Sequence, residues 1–114
     1  MSTRSNIIVR NGDERMIFFS RYNGYPSCLG KSLKQYLDRI NGWSLEKIAK
    51  KLSDGIKDKS DGYVYKFMSD EGVHDCAEYV YVVDCEKETL VCYGRYVAEP
   101  LVRCCVPERI IEIP

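Results

Sequence analysis

A single histidine, His74, and a single tryptophan are present among 114 residues. One imidazole leaves little for a histidine-built metal centre and only one candidate for a general base of the commonest kind. Surplus charge is missing too, with 17 basic residues against 17 acidic ones. A chain that holds nucleic acid through its phosphates needs cationic excess, so the balance argues against a nucleic-acid partner. No apolar run approaches the roughly 20 residues of a membrane span. The polar opening M-S-T-R-S-N reads as no secretory signal, and the expectation is a cytoplasmic protein without membrane contact. Six cysteines are present, but none forms a C-x-x-C pair, the knuckle from which most zinc sites are assembled. They read as reduced thiols acting as small buried apolar groups, and no metal or cofactor is implied.

What is present describes one folded domain spanning 1–114. Hydrophobic residues make up 45% and charged residues 30%, the proportions of a soluble globular chain. Residues 6–10 (N-I-I-V-R) and 15–22 (R-M-I-F-F-S-R-Y) are strand-like and flank Asn11-Gly12, a hairpin signal. Residues 23–32, with Gly24, Pro26, Gly30 and two serines, read as a loop. Leu33, Tyr36, Leu37 and Ile40 recur at helical spacing, and Asn41-Gly42 ends that helix. Ser44 caps a second helix carrying Leu45, Ile48, Ala49 and Leu52, with Gly55 as its stop. Residues 63–68, 77–84 and 89–96 read as Tyr- and Val-rich strands, and R-I-I-E-I at 109–113 as a final edge strand. The fold expected is α+β: an antiparallel sheet of five to six strands with a two-helix hairpin packed on one face. With only one face covered, part of the nine tyrosines should lie on the open side and offer stacking surface.

The stretch from Gly24 to Ser32 follows a strand, precedes a helix and ends in Gly30-Lys31-Ser32. A phosphate-binding loop of the G-x-x-x-x-G-K-[ST] type has four residues between its glycines, whereas five stand here, and Pro26 removes an N–H donor. The spacing argues against nucleotide hydrolysis and leaves two roles for these residues. Gly30 turns the chain while Ser27 or Ser32 caps the helix, or the helix start and Lys31 hold an anion. Around His74, the run Gly72-Val73-His74-Asp75-Cys76 holds the residue types of a thiol nucleophile, but neighbours on a turn rarely face one another. Cys28 or Cys104 would reach His74 only through the fold.

The opening Ser2-Thr3-Arg4-Ser5-Asn6-Ile7-Ile8, then Arg21-Tyr22-Asn23-Gly24-Tyr25-Pro26, then residues 77–84 (A-E-Y-V-Y-V-V-D) resemble a family of small tailed-phage and prophage proteins. That family carries a His-Trp-Asp-Gly-Tyr-Pro box after its second strand. Here Arg21, Tyr22 and Asn23 replace its first three members, while Gly24-Tyr25-Pro26 is kept. The resemblance implies an accessory phage product in the bacterial cytoplasm and a shaping role for the retained triplet: Gly24 bends the chain, Pro26 stiffens it, and Tyr25 plugs or lines a pocket.

These readings favour a non-enzymatic binding protein with its site between residues 21–32 and the open end of the sheet. Arg4, Arg21 and Lys31 supply positive charge, the backbone of Gly30 to Ser32 supplies N–H donors, and Tyr22 and Tyr25 supply stacking surface. The partner expected is a small anionic molecule or an acidic patch on a host protein, with interference in a host process as the outcome. Two alternatives stand beside it. One is a small enzyme using a Cys/His pair or a phosphate loop. The other is a structural protein that pairs with a second copy along the edge formed by Ile110, Ile111 and Ile113.

Overall fold

The computed structural model describes residues 3–57, 62–70, 72, 77–94 and 109–113, with backbone only at 26, 70, 94 and 109–113. The chain opens as the expected hairpin. Strands β1 (Ser5–Asn11) and β2 (Glu14–Ser20) pair antiparallel from Ser5 opposite Ser20 to Asn11 opposite Glu14. The two turn residues are Gly12 and Asp13, one position later than the Asn-Gly pair suggested. Gly12 takes the positive φ of 64° that the first residue of such a turn favours.

Beyond β2 the chain departs from the expected loop. It bends at Asn23, whose φ is 54°, and then enters one wide helical turn, Pro26–Gly30, that runs directly into α1 (Lys31–Leu37). Gly30 sits in ordinary right-handed helical geometry and does not turn the chain; its N–H donates to the Tyr25 carbonyl at 3.4 Å. Leu29 and Leu33 are both wholly buried, so winding this stretch helically places two leucines on the core that a loop would leave in solvent. Pro26 suits the start, where its missing N–H costs nothing. Neither Ser27 nor Ser32 makes a capping hydrogen bond. Helix α2 (Leu45–Asp54) begins as expected: Ser44 Oγ accepts a bond from the Lys47 N–H at 3.1 Å, and Gly55 ends the helix.

The remaining strands are β3 (Ile56–Lys57), β4 (Val64–Tyr65), β5 (Met68–Asp70), β6 (Tyr79–Asp84), β7 (Thr89–Gly94) and β8 (Arg109–Ile113). β3 and β4 form a small sheet of their own, and the main sheet has the order β5-β2-β1-β6-β7-β8. The class is α+β, with two helices against a sheet. Four of the main sheet's five pairings are antiparallel, while β1 and β6 run parallel from Ser5 opposite Tyr79 to Arg10 opposite Asp84. A hairpin would force the antiparallel arrangement, but here the long crossover through both helices returns the chain to the end at which β1 starts. Bonds from the Glu78 N–H to the Arg4 carbonyl (2.8 Å) and from the Cys85 N–H to the Arg10 carbonyl (2.9 Å) bracket the parallel pair. The single strand expected over 63–68 is divided, because Val64 and Tyr65 pair with β3 while Met68 starts a strand paired with β2.

The helix-facing side of the sheet presents Ile7, Val9, Phe18, Tyr81, Val83, Leu90 and Cys92 to Leu33, Leu37, Ile48 and Leu52. Each such large side chain stabilises the fold by about 1.5–3 kcal/mol through its removal from water. The opposite side is not the open face expected, since Ile17, Phe19, Val80 and Val91 are buried there. Tyr81 belongs to the helix-side core, and Tyr79 is partly buried against it, so β6 offers no outward tyrosine platform. Among the described residues no helix is long and apolar enough to cross a membrane.

Candidate functional site

The segment after β2 is pinned to the sheet at Gly24. Its N–H donates to the Thr3 carbonyl at 3.0 Å, and its own carbonyl accepts from the Tyr81 hydroxyl at 2.6 Å. A Cβ at Gly24 would lie 2.8 Å from Ser5 Cβ and Oγ, so the triplet Gly24-Tyr25-Pro26 fixes shape through close approach. The left-handed bend belongs to Asn23. The Tyr25 ring packs 6.0 Å from that of Tyr79 and leaves part of its surface exposed.

None of the described hollows brings the expected site residues together. Arg21 and Tyr22 line a hollow of about 430 Å³. Ser32 lines a separate one of about 410 Å³ between α1, α2 and β3. Arg4 and Lys31 are exposed and line neither hollow. Gly30 is buried, with its N–H already bonded inside the wide turn, so no cradle of free donors exists there.

The hollow at Arg21 and Tyr22 opens where two strands part. β2 and β5 pair as far as Phe19 opposite Met68. Past that point the chain on one side continues through Ser20, Arg21 and Tyr22, and on the other side Tyr63, Val64 and Lys66 approach. Tyr63 is held by an edge-on contact with Tyr65 at 4.9 Å, and Tyr65 in turn stacks on Phe67 at 6.5 Å. Tyr22 (51% exposed), Val64 (43%) and Met68 (53%) are three of the most exposed large apolar side chains described, and all three meet here. Exposed apolar groups lie here beside two cations, Arg21 and Lys66, with no carboxylate among the described lining. Arg21 and Tyr22 are site residues expected from sequence, and Tyr63 is one of the tyrosines expected to offer stacking surface, whereas Val64, Lys66 and Met68 carry no such signal. The alternation in Y-V-Y-K-F-M marks a strand, and nothing local in it says which strand lies beside it.

The catalytic alternative finds little support among the described residues. Cys28, Cys85 and Cys92 are free thiols. Burial pushes Cys92 up to about 12, and burial followed by the nearby Asp84 and Glu88 charges raises Cys85. Both stay protonated at neutral pH, and a protonated thiol is a poor nucleophile. His74, Cys76 and Cys104 lie outside the described residues. Among the described residues no three His, Cys, Asp or Glu side chains gather closely enough to hold a metal ion. Comparison of the chain with protein-family models, curated proteins and solved structures found no match.

Proposed function

We propose that the protein is a non-enzymatic binding module whose ligand is a small anion carrying a planar or apolar group, seated in the hollow lined by Arg21, Tyr22, Tyr63 and Lys66. The observation behind this reading is the pairing of two cations with aromatic walls where β2 and β5 diverge, with no acidic residue among the described lining. Arg21 suits a carboxylate or phosphate, because its planar fork can make two parallel bonds while its face stacks on a ring. Tyr22 and Tyr63 supply the surface against which an aromatic group would lie. The resemblance to small phage and prophage proteins supports a reading in which the module acts in the bacterial cytoplasm, where sequestering such a ligand would interfere with a host process.

Calorimetric titration with adenosine monophosphate and with inorganic phosphate tests the reading. The nucleotide is expected to bind more tightly than phosphate, and Tyr22→Ala to close most of that gap. Arg21→Ala combined with Lys66→Ala should weaken nucleotide binding by at least tenfold, about 1.4 kcal/mol. Both cations sit on exposed positions, so the thermal midpoint of the double variant should stay near that of the wild type. Wild-type affinity in the double variant, or no binding of either probe, overturns the proposal.

A further inference from the structure

The second hollow is chemically different from the first and does not depend on it. It lies between α1, the end of α2 and β3, and Arg39, Lys51 and Lys57 line it without a carboxylate among its described neighbours. Three cationic residues line one space, and like charges gathered in this way are best offset by an anion between them. Two nearby acids are paired elsewhere: Asp38, just past α1, with Lys34 at 2.9 Å, and Asp54, at the end of α2, with Lys50 at 3.6 Å, both on exposed positions. The Tyr36 ring lies near Lys51, with Nζ 6.0 Å from the centroid. That ring gives the ammonium a weak partner without neutralising it. Behind the cations the wall is mixed. Ser32 reaches the hollow although only 4% exposed, and Ile56, buried, forms an apolar part of the lining. Burial raises the Tyr36 phenol, which therefore stays neutral and able to donate a hydrogen bond.

From this geometry we infer that the hollow between α1 and β3 is a second anion site, built for a chain of linked phosphates bridging Arg39, Lys51 and Lys57. A single phosphate can engage one or two of these cations, whereas a diphosphate spreads its charge over the breadth of a hollow of about 410 Å³. The diphosphate has two sources, free pyrophosphate or the tail of a nucleoside diphosphate, and both share the chemistry that the three cations recognise.

Calorimetry with inorganic pyrophosphate, adenosine diphosphate and inorganic phosphate, on the full chain, decides the matter. Pyrophosphate should bind at least tenfold more tightly than phosphate, with affinity falling steeply as salt rises. Lys51→Ala and Lys57→Ala should each weaken pyrophosphate by about five- to tenfold, the loss of one charge-assisted contact. Arg21→Ala with Lys66→Ala should leave it unchanged. Equal affinity for pyrophosphate and the nucleotide assigns recognition to the phosphate chain alone. Tighter nucleotide binding that Tyr36→Ala removes assigns a nucleotide with its base on that ring, and either result supports the site. Absence of pyrophosphate binding overturns it. So does affinity within twofold of wild type in the Lys51→Ala, Lys57→Ala double variant, or a loss that follows the Arg21 and Lys66 changes instead. Should a lysine variant melt early, Arg39→Ala, outside both helices, gives the same reading.

Discussion

Gly24 is held from three directions at once, by its own two backbone bonds and by the side chain of Ser5. Its N–H and carbonyl join the segment leading into β1 to β6 through Thr3 and Tyr81, and its Cα faces Ser5 so closely that a methyl group would lie 2.8 Å from Ser5 Cβ and 2.9 Å from the Thr3 carbonyl oxygen. Such contacts are relieved only by moving the backbone, and overpacking of this kind costs about 1–3 kcal/mol. Gly24→Ala should therefore lower stability by that amount in urea denaturation. It should also shift Arg21 and Tyr22 and so weaken nucleotide binding in the first hollow; unchanged stability would show that the strands separate without cost. Among the described residues, the neighbouring hydroxyls Thr3 Oγ1 and Ser5 Oγ are buried and find no hydrogen-bond partner, which adds to the sensitivity of this corner. From sequence, the Gly-Tyr-Pro triplet stands out as a shaping element. The reason it must be glycine is a contact between residues far apart in the chain, and no local pattern encodes that.

At the scale of elements, the features governed by near neighbours could be read directly. Turn chemistry at Gly12 fixes the hairpin, and helical spacing with Ser44 ahead of it fixes α2. The cap is testable: Ser44→Ala removes the acceptor for the Lys47 N–H and should cost about 1 kcal/mol, seen as a lower denaturation midpoint with fraying at the helix start. Ser32→Ala, by contrast, removes no cap. The elements that escaped local reading are those decided by distant partners. Residues 26–32 wind into helix because Leu29 and Leu33 meet the core, overriding the loop-forming composition around them. Residues 63–68 divide because β3 and β2 each claim one part. The first hollow exists only through that division. Arg21 and Tyr22 thus stand out in the sequence, as does Tyr63 among the strand tyrosines, while Lys66 and the placing of Tyr63 across the gap do not. The cations of the second hollow lie apart in the chain, Arg39 just past α1, Lys51 in α2 and Lys57 in β3, so no local pattern groups them.

For the molecule as a whole, the interior keeps several weakly acidic groups neutral. Tyr81 on β6 lies opposite Cys92 on β7, both are almost fully buried, and Cys85 is buried at the end of β6. Burial is the leading cause that raises all three above their ordinary ionisation range, and Cys92 reaches about 12. Unfolding returns the thiols to about 9 and the phenol to about 10, so above those values the unfolded chain releases protons that the folded chain retains. The unfolded state then binds fewer protons, and stability must fall as pH rises. The contribution is fully present below pH 9 and is lost progressively between 9 and 12, by about 1.4 kcal/mol per pH unit for each group that ionises only on unfolding. Urea midpoints taken at pH 8, 9, 10 and 11 should decline with increasing steepness. Cys92→Ala should start from a lower midpoint, because it leaves a void, and should then decline less steeply. Parallel curves for the two proteins would show that the Cys92 thiol ionises as readily in the folded state as in water, and that the sheet–helix core is open to solvent at β7.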